Sequence, residues 1–177
     1  MRLFFAVDFP AELKEEIYQD ITPLFKYNGV KWVAKENYHL TLAFLGEKGE
    51  EELPQIDRAA KSVPQVNESL IKVLDFEAFP HLKKPKVLFL RIESPGLLTL
   101  ADNLRQKLKE NNISFDEKPF VPHLTLGRVK GEIKDITLPK INPKEFSFSN
   151  FYLIKSNLTP QGPIYKKIKS YEILQNA

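Results

Sequence analysis

The sequence contains no cysteine, and histidine, methionine and tryptophan are scarce, with 3, 1 and 1 copies among 177 residues. The absence of cysteine excludes disulfides, zinc-thiolate sites and thiol nucleophiles, so packing has to stabilise the fold. Long apolar runs are absent too. The N-terminal run MRLFFAVDFP is interrupted by Asp8 and Pro10, which makes it too short for a signal peptide or a membrane span. We therefore expect a cytoplasmic protein with no membrane association.

No charge of one sign dominates the sequence. It has 26 Lys and Arg against 23 Asp and Glu, for a net charge of +3. This mild balance argues against a protein that coats a polyanion, although a local basic groove for an anionic ligand remains compatible with it. The P-loop glycine pattern and the GxSxG nucleophile motif are both missing. With 42% hydrophobic and 28% charged residues, the composition is that of an ordinary globular protein.

Hydrophobic periodicity predicts a mixed architecture. Apolar residues recur at helical spacing over residues 10–25, 51–63 and 95–112, the last of which follows the N-cap candidate Ser94. Alternating or β-branched stretches predict strands at the N-terminus and over residues 71–80, 85–93, 145–156 and 164–174. This order predicts an α+β fold for residues 1–177, one bilobal domain with two pseudo-symmetric lobes of mainly antiparallel sheet backed by helices. We expect the active-site cleft between the lobes.

The tetrapeptide HLTL occurs twice, at residues 39–42 and 123–126, and accounts for two of the three histidines. On a strand, side chains two residues apart point to the same face, about 7 Å apart along the backbone. His39 with Thr41, and His123 with Thr125, should therefore each present an imidazole and a hydroxyl on one face. A pseudo-twofold arrangement of two such strands would gather all four groups around one central volume.

Two imidazoles and two hydroxyls suit the chemistry of a phosphodiester. Histidine can act as acid or base near neutral pH, and hydroxyls or an arginine can stabilise the non-bridging oxygens. Two histidines without a nearby carboxylate make a poor zinc site, so we expect neither metal nor cofactor. Arg128 lies five residues beyond His123, on the opposite face of an ideal strand, and reaches the cleft only if a bulge turns it.

Several other residues allow two interpretations. A single His-x-Thr on a strand is most often structural, but duplication favours function because a buried imidazole needs a partner for each nitrogen. His81 is expected to be an exposed loop residue. The lysines beside it, Lys83, Lys84 and Lys86, form either a solvated turn or a surface that guides a polyanion. Trp32 either packs in the core or lines the mouth of the cleft.

The sequence resembles the two-histidine (2H) phosphoesterases, in particular the RNA 2',3'-cyclic phosphodiesterases, also called 2'-5' RNA ligases or LigT-like proteins. The resemblance spans nearly the whole chain. It includes RLFFAVDFP, the segment from Trp32 through HLTLAFLGE, the FP…PKVLFL stretch, PFVPHLTLGR and FYLIKSNLTPQGPIY. It implies a bilobal, pseudo-symmetric fold with both motifs in a central cleft.

The resemblance also implies a reaction and residue roles. The family hydrolyses a terminal 2',3'-cyclic phosphate on RNA to a 2'-phosphate without metal, and some members join RNA ends through a 2'-5' linkage without ATP. Carried over by residue, His39 and His123 are the catalytic pair, Thr41 and Thr125 hold the phosphate, and Arg128 contacts it. We assign His123 as the base that activates water and His39 as the acid that protonates the departing 3' oxygen.

The partner expected from this resemblance is RNA with a 2',3'-cyclic phosphate end, bound by a monomer. Two alternatives stay open at this point. The chain could bind or join RNA ends with only incidental hydrolysis, or it could act on small cyclic nucleotides. Products formed from mononucleotide and oligonucleotide substrates distinguish the three.

Overall fold

The structure is a computed structural model that describes residues 1–133 and 135–173. Three α-helices and nine β-strands make up its regular elements, and short 3-10 helices cover Thr22–Lys26, Lys35–Asn37 and Glu50–Glu52. The helices are α1 (Ala11–Ile21), α2 (Leu53–Lys61) and α3 (Pro95–Glu110). The strands are β1 (Arg2–Asp8), β2 (Val30–Trp32), β3 (His39–Glu47), β4 (Leu70–Phe79), β5 (Val87–Glu93), β6 (His123–Val129), β7 (Lys144–Ser147), β8 (Asn150–Thr159) and β9 (Gly162–Glu172).

The strands form two sheets in which every pairing is antiparallel. Sheet 1 has the order β3-β1-β8-β9, and sheet 2 has the order β2-β6-β5-β4-β7. In each sheet two paired strands are separated in the chain by one α-helix, β1 and β3 by α1 in sheet 1 and β5 and β6 by α3 in sheet 2. The short strand β2 of sheet 2 also lies between α1 and β3. The predicted α+β fold with two related antiparallel sheets is confirmed.

The similarity between the two sheets extends to an irregularity in their strand pairing. In sheet 1 the register shifts between the pairs Phe5 with Ala43 and Ala6 with Thr41, so that Leu42 is the extra residue. In sheet 2 the shift between the pairs of Leu88 and Phe89 makes Leu126 the extra residue. Both HLTL strands therefore carry a β-bulge directly after the threonine. A bulge reverses the alternation of side chains beyond it.

Both sheets contribute to one hydrophobic core, which also takes in all three helices. The predicted stripe of helix α3, Leu97, Leu100, Leu104 and Leu108, is fully buried. Ser94 caps this helix as predicted, because its Oγ accepts a hydrogen bond from the backbone N–H of Leu97 at 3.2 Å. The opposite face of each sheet, which we call its open face, carries the histidines and threonines of the two motifs.

One predicted element is wrong. Residues 145–156 were expected to form one closing strand, but they divide into β7 in sheet 2 and β8 in sheet 1. The division falls at Phe148 and Ser149. The N–H of Phe148 donates to Ser69 next to β4, whereas the carbonyl of Ser149 accepts from Ile173 after β9. The chain therefore changes sheets at a buried phenylalanine. The short strand β2 was not predicted, and Leu174, the end of the predicted last strand, lies outside the described residues.

Candidate active site

The first motif lies on strand β3 at the open face of sheet 1. Nδ1 of His39 is 2.7 Å from the carbonyl oxygen of Asn37, and Nε2 is 2.7 Å from Oγ1 of Thr41. A carbonyl only accepts, so Nδ1 carries the proton in the neutral ring and Nε2 accepts from the threonine hydroxyl. The two side chains of the motif are thus linked, as their spacing on a strand predicts.

The second motif repeats half of this arrangement on strand β6. Nδ1 of His123 is 2.7 Å from the carbonyl oxygen of Val121, which again lies two residues before the histidine. Within the described residues, neither Nε2 of His123 nor the hydroxyl of Thr125 has a hydrogen-bond partner in the protein. Both histidines therefore have the same ring nitrogen fixed to the backbone, and the second motif leaves Nε2 of His123 and the hydroxyl of Thr125 available to a ligand.

The two motif strands β3 and β6 contact each other, and the charge of His123 is among the influences on the pKa of His39. The pKa of His39 is below its ordinary value, chiefly because burial penalises the charged ring, and the charges of Lys14 and His123 lower it further. The hydrogen bond to Asn37 and the carboxylate of Asp8 act in the opposite direction. The free protein therefore favours a neutral His39 ring.

Aromatic side chains enclose the ring of His39. Its centroid lies 5.0 Å from that of Phe4 and 5.3 Å from that of Tyr165, with the tyrosine at an edge-on angle of 87°. Phe4 and Tyr165 also contact each other at 5.1 Å. Strands β3 and β9 are the two edges of sheet 1, so contact between His39 and Tyr165 requires the sheet to curl strongly. Asn37 holds the curl by donating to the carbonyl of Pro163 at 2.9 Å.

A pocket of about 390 Å³ opens inside this curl beside His39. Its apolar walls come from Ile154, Pro163, Ile164 and Tyr165. Its polar groups come from Asp8, Glu36, Asn37 and Lys167. The sequence did not single out Phe4 or Tyr165. Their contact with His39 depends on the curl of sheet 1, for which local periodicity gives no signal.

Asp8 forms a charged cluster at the same pocket. Its two carboxylate oxygens lie 2.8 Å from Nζ of Lys14 and 2.7 Å from Nζ of Lys167. Burial alone would raise the pKa of Asp8, but the hydrogen bonds from the two lysines outweigh it and the pKa is lowered. In the strand register Asp8 is the direct partner of His39. The sequence indicated Asp8 only as a residue that interrupts the N-terminal apolar run.

Arg128 reaches the open face because of the bulge on β6. Leu126 and Gly127 are consecutive buried residues, after which Arg128 is exposed on the same face as His123 and Thr125. The charge of Arg128 acts on Tyr165, since it opposes the effect of burial on the pKa of that tyrosine. The condition under which the sequence placed Arg128 in the cleft, a bulge in the strand, is therefore met.

The remaining candidates take simpler positions. Trp32 lies on the core side of β2, packs edge-on against Phe25 at 5.1 Å, and thus belongs to the core. His81 is exposed in the turn between β4 and β5. Over residues 1–133 and 135–173, no group of three or more His, Cys, Asp or Glu could hold a metal ion. No helix in that part of the chain is long and apolar enough to cross a membrane.

Comparison with known proteins places this geometry in a family. The sequence model of the family described as "LigT like Phosphoesterase" matches residues 7–89 and 91–165. The chain belongs to the LigT-like phosphoesterases. Each matched segment contains one HLTL motif, in agreement with the internal relationship between the two sheets.

Two relatives of this LigT-like chain carry the same name. A Thermotoga maritima protein named RNA 2',3'-cyclic phosphodiesterase is 38% identical, with 94% of this chain and 92% of the relative covered. An Archaeoglobus fulgidus protein of the same name is 39% identical, with 97% and 100% covered. The crystal structure of E. coli LigT complexed with 3'-AMP superimposes with a TM-score of 0.84 at 31% identity, over 98% of each chain.

Proposed function

We propose that this LigT-like protein hydrolyses the 2',3'-cyclic phosphate at the end of RNA to a 2'-phosphate, with His39 and His123 as the acid and base. The observation that carries this proposal is the matched pair of motifs on open faces. In each motif Nδ1 of the histidine is fixed to a backbone carbonyl, which leaves Nε2 as the ring nitrogen for chemistry; Nε2 of His39 accepts from Thr41, whereas Nε2 of His123 has no partner within the described residues. The names of the relatives supply the substrate class.

The two histidines divide one displacement at phosphorus between them. His123 accepts a proton from water through Nε2 while the water oxygen forms a bond to phosphorus. The bond from phosphorus to the 3' oxygen breaks, and His39 gives its proton to that oxygen. The product carries a free 3'-hydroxyl and a 2'-phosphate. After this step His123 is protonated and His39 is neutral. Before the next turnover, His123 must release its proton to solvent and His39 must take one up.

The lowered pKa of His39 has two consequences for its role as the acid. A lowered pKa makes protonated His39 a stronger proton donor, but it also leaves less of that form in the free protein. The negative charge of a bound phosphodiester favours the protonated ring and so raises its pKa in the complex. The substrate therefore helps to create the acid that its leaving oxygen requires.

The hydroxyls and Arg128 stabilise the phosphate oxygens. Thr125 has no protein partner within the described residues, so its hydroxyl is available to donate to a non-bridging oxygen. Thr41 donates to His39 in the free protein and can turn to the phosphate once His39 carries a proton. Arg128 adds a fixed positive charge on the same face. We propose that these three groups bind the charge that develops in the transition state.

The relation to E. coli LigT supports a nucleotide in this site, since that protein was crystallised with 3'-AMP. The curl of sheet 1 offers a pocket with apolar walls beside His39, wide enough for a nucleobase or a ribose. We also propose that residues 1–177 act as one domain, as a monomer, in the cytoplasm and without metal. The shared core of the two sheets supports the first of these statements.

The deciding experiment uses a short oligoribonucleotide ending in a 2',3'-cyclic phosphate, together with a nucleoside 2',3'-cyclic monophosphate. His39→Ala and His123→Ala should each lower turnover by about 10² to 10⁴, the usual contribution of one acid or base. His81→Ala removes the third histidine, which lies outside the site, and should keep the wild-type rate on the mononucleotide. Added EDTA should leave turnover unchanged.

Three outcomes would contradict this proposal. Turnover at the wild-type rate in either active-site variant would remove the two-histidine mechanism. Retention of the oligonucleotide with no product would instead favour a protein that binds RNA ends. The product itself must be the 2'-phosphate, which a 3'-phosphate standard distinguishes.

A further inference from the structure

Cations gather at the end of sheet 2 that lies beyond Arg128. We call Lys31, Lys83, Lys84, Lys86 and Lys130 the basic rim. Backbone hydrogen bonds hold its parts together, from the N–H of Val129 to the carbonyl of Lys86 at 2.9 Å and from Lys130 to Gly29 at 2.6 Å. The ends of β2, β5 and β6 and the turn between β4 and β5 therefore meet at one place.

The positive charge of the rim is not neutralised by ion pairs within the part of the chain that the structure describes. None of its five lysines forms an ion pair in the residues that the structure describes, and all five are exposed. The other open-face arginine of sheet 2 differs, since Arg91 lies 3.2 Å from Asp75 and 3.6 Å from Glu77. The open face is thus balanced beside His123 and positive beyond Arg128.

A row of side chains connects the phosphate site with this rim. The strand register pairs Phe79 with Val87, Val87 with Arg128, and Arg128 with Lys31, across four neighbouring strands. Direct partners share a face of a sheet, so all four side chains lie on the open face. Neighbouring strands are about 4.8 Å apart, which puts Phe79 roughly 10 Å from Arg128.

Phe79 is unusual in this setting because 64% of its surface is exposed. Leu82, on the turn that follows, is 44% exposed. A second phenylalanine on the same face, Phe89, lies two residues from Val87 and meets the ring of His123 edge-on at 5.7 Å. Flat apolar rings interleaved with unpaired cations are the pattern that binds single-stranded nucleic acid, whose bases stack while its phosphates pair with lysine.

We propose that the basic rim and Phe79 bind the RNA strand on the 5' side of the terminal cyclic phosphate, with a base stacked on Phe79. The proposal rests on the proposed function, because the phosphate site fixes where the RNA ends. It adds a direction to the bound strand, from the two histidines across Arg128 and towards the turn between β4 and β5. It also makes the oligonucleotide a better substrate than a mononucleotide.

The experiment compares kcat/KM for a five-nucleotide RNA ending in a 2',3'-cyclic phosphate with that for a nucleoside 2',3'-cyclic monophosphate. Phe79→Ala should lower kcat/KM on the oligonucleotide by about 10-fold, through KM, because one stacked base is lost. The same variant should leave the mononucleotide rate within about twofold. Replacing both Lys83 and Lys84 by alanine should flatten the dependence of log kcat/KM on log salt by up to about 1.4, or about 0.7 for each phosphate contact.

Lys72→Ala is the matched control. Lys72 lies on the same open face of the same sheet but at its other end, where its strand partner is Glu93. We expect this variant to behave as wild type on both substrates. A loss on the oligonucleotide equal to that of the rim variants would show that the strand does not follow the rim, and would overturn the inference.

Other outcomes separate the inference from the proposed function. Equal kcat/KM for the two substrates in the wild type, or equal losses on both in Phe79→Ala, would overturn the inference and leave the phosphodiesterase intact. No turnover of either substrate would overturn the function. In that case, anisotropy of a labelled five-nucleotide RNA with a 3'-phosphate end still tests the rim. Weaker binding by Phe79→Ala than by Lys72→Ala supports the inference, and equal binding overturns it.

Discussion

Gly127 is where the packing of β2 against β6 can be tested together with the site. A Cβ at this position would lie 2.8 Å from Cγ1 of Val30, 2.9 Å from Cε3 of Trp32 and 3.3 Å from the backbone oxygen of Lys31. All three atoms belong to β2, the strand that pairs with this part of β6. Gly127→Ala must therefore displace β2 or distort the bulge that turns Arg128 to the open face.

The size of the effect follows from these distances. Carbon atoms pack best about 3.5–4.0 Å apart, so the two carbon contacts fall short by about 0.6–1.2 Å. The atoms that would have to move belong to a tryptophan ring and a short branched side chain, which yield little. Overpacking of this kind costs about 1–3 kcal/mol. At about 2–4 °C of melting temperature per kcal/mol for a chain of this length, Gly127→Ala should melt about 2–12 °C lower.

Catalysis should respond as well, because Arg128 follows Gly127 directly. Arg128 is a phosphate-binding residue in the proposed function, and a displacement approaching 1 Å at such a group can cost up to about 10²-fold in rate. The assay is a thermal melt combined with kcat/KM on a nucleoside 2',3'-cyclic monophosphate. Gly131→Ala serves as control, since a Cβ at Gly131 meets nothing within 4 Å. If Gly127→Ala matches Gly131→Ala in both measurements, the argument from steric contact is refuted.

Two further predictions concern protonation and helix capping. The profile of kcat/KM against pH reports the free protein, in which the pKa of His39 is lowered, so the activity that needs protonated His39 should be lost as pH rises through a value below the ordinary histidine pKa of about 6.5. In the profile of kcat against pH, the bound phosphate should move this loss to higher pH. A loss of kcat at the same or lower pH would contradict the assignment of His39 as the acid. Ser94→Ala removes a buried helix cap whose hydroxyl also donates to the carbonyl of Leu70 at 2.7 Å. The substitution should cost about 1–2 kcal/mol of stability and lower the melting temperature by roughly 2–8 °C. Thr99→Ala, at an exposed position of the same helix, should change the melting temperature little.

Features set by local spacing could be predicted from the sequence. The stripe from Leu97 to Leu108 specified helix α3 because four-residue spacing places side chains on one face. The two-residue spacing of His39 and Thr41 likewise specified a shared strand face, and their 2.7 Å contact agrees with it. The duplication of the motif indicated two related halves. These predictions needed no knowledge of distant contacts.

Features set by pairing between distant segments could not be predicted. Residues 145–156 have the composition of one strand, but Phe148 bonds to a residue next to sheet 2 while Ser149 bonds to a residue after β9 of sheet 1. The bulge at Leu126 depends on the partner strand β5. Ala43 and Gly127 occupy equivalent positions in the two motif strands, and their difference also depends on a partner strand. Strand β3 is an edge strand, whereas β6 has β2 beside it. None of these partners is encoded nearby in the chain.

The order of strands in sheet 1 has a consequence for how the protein is made. Strand β1, which is synthesised before the other strands of sheet 1, lies between β3 and β8, and β9 completes the sheet. Residues 150–172 must therefore be synthesised before Phe4 and His39 acquire Tyr165 as a neighbour. Nascent chains that stop short of this segment would expose one edge of β1 and hold an incomplete pocket, so catalytic competence should appear only after residues 150–172 have been synthesised.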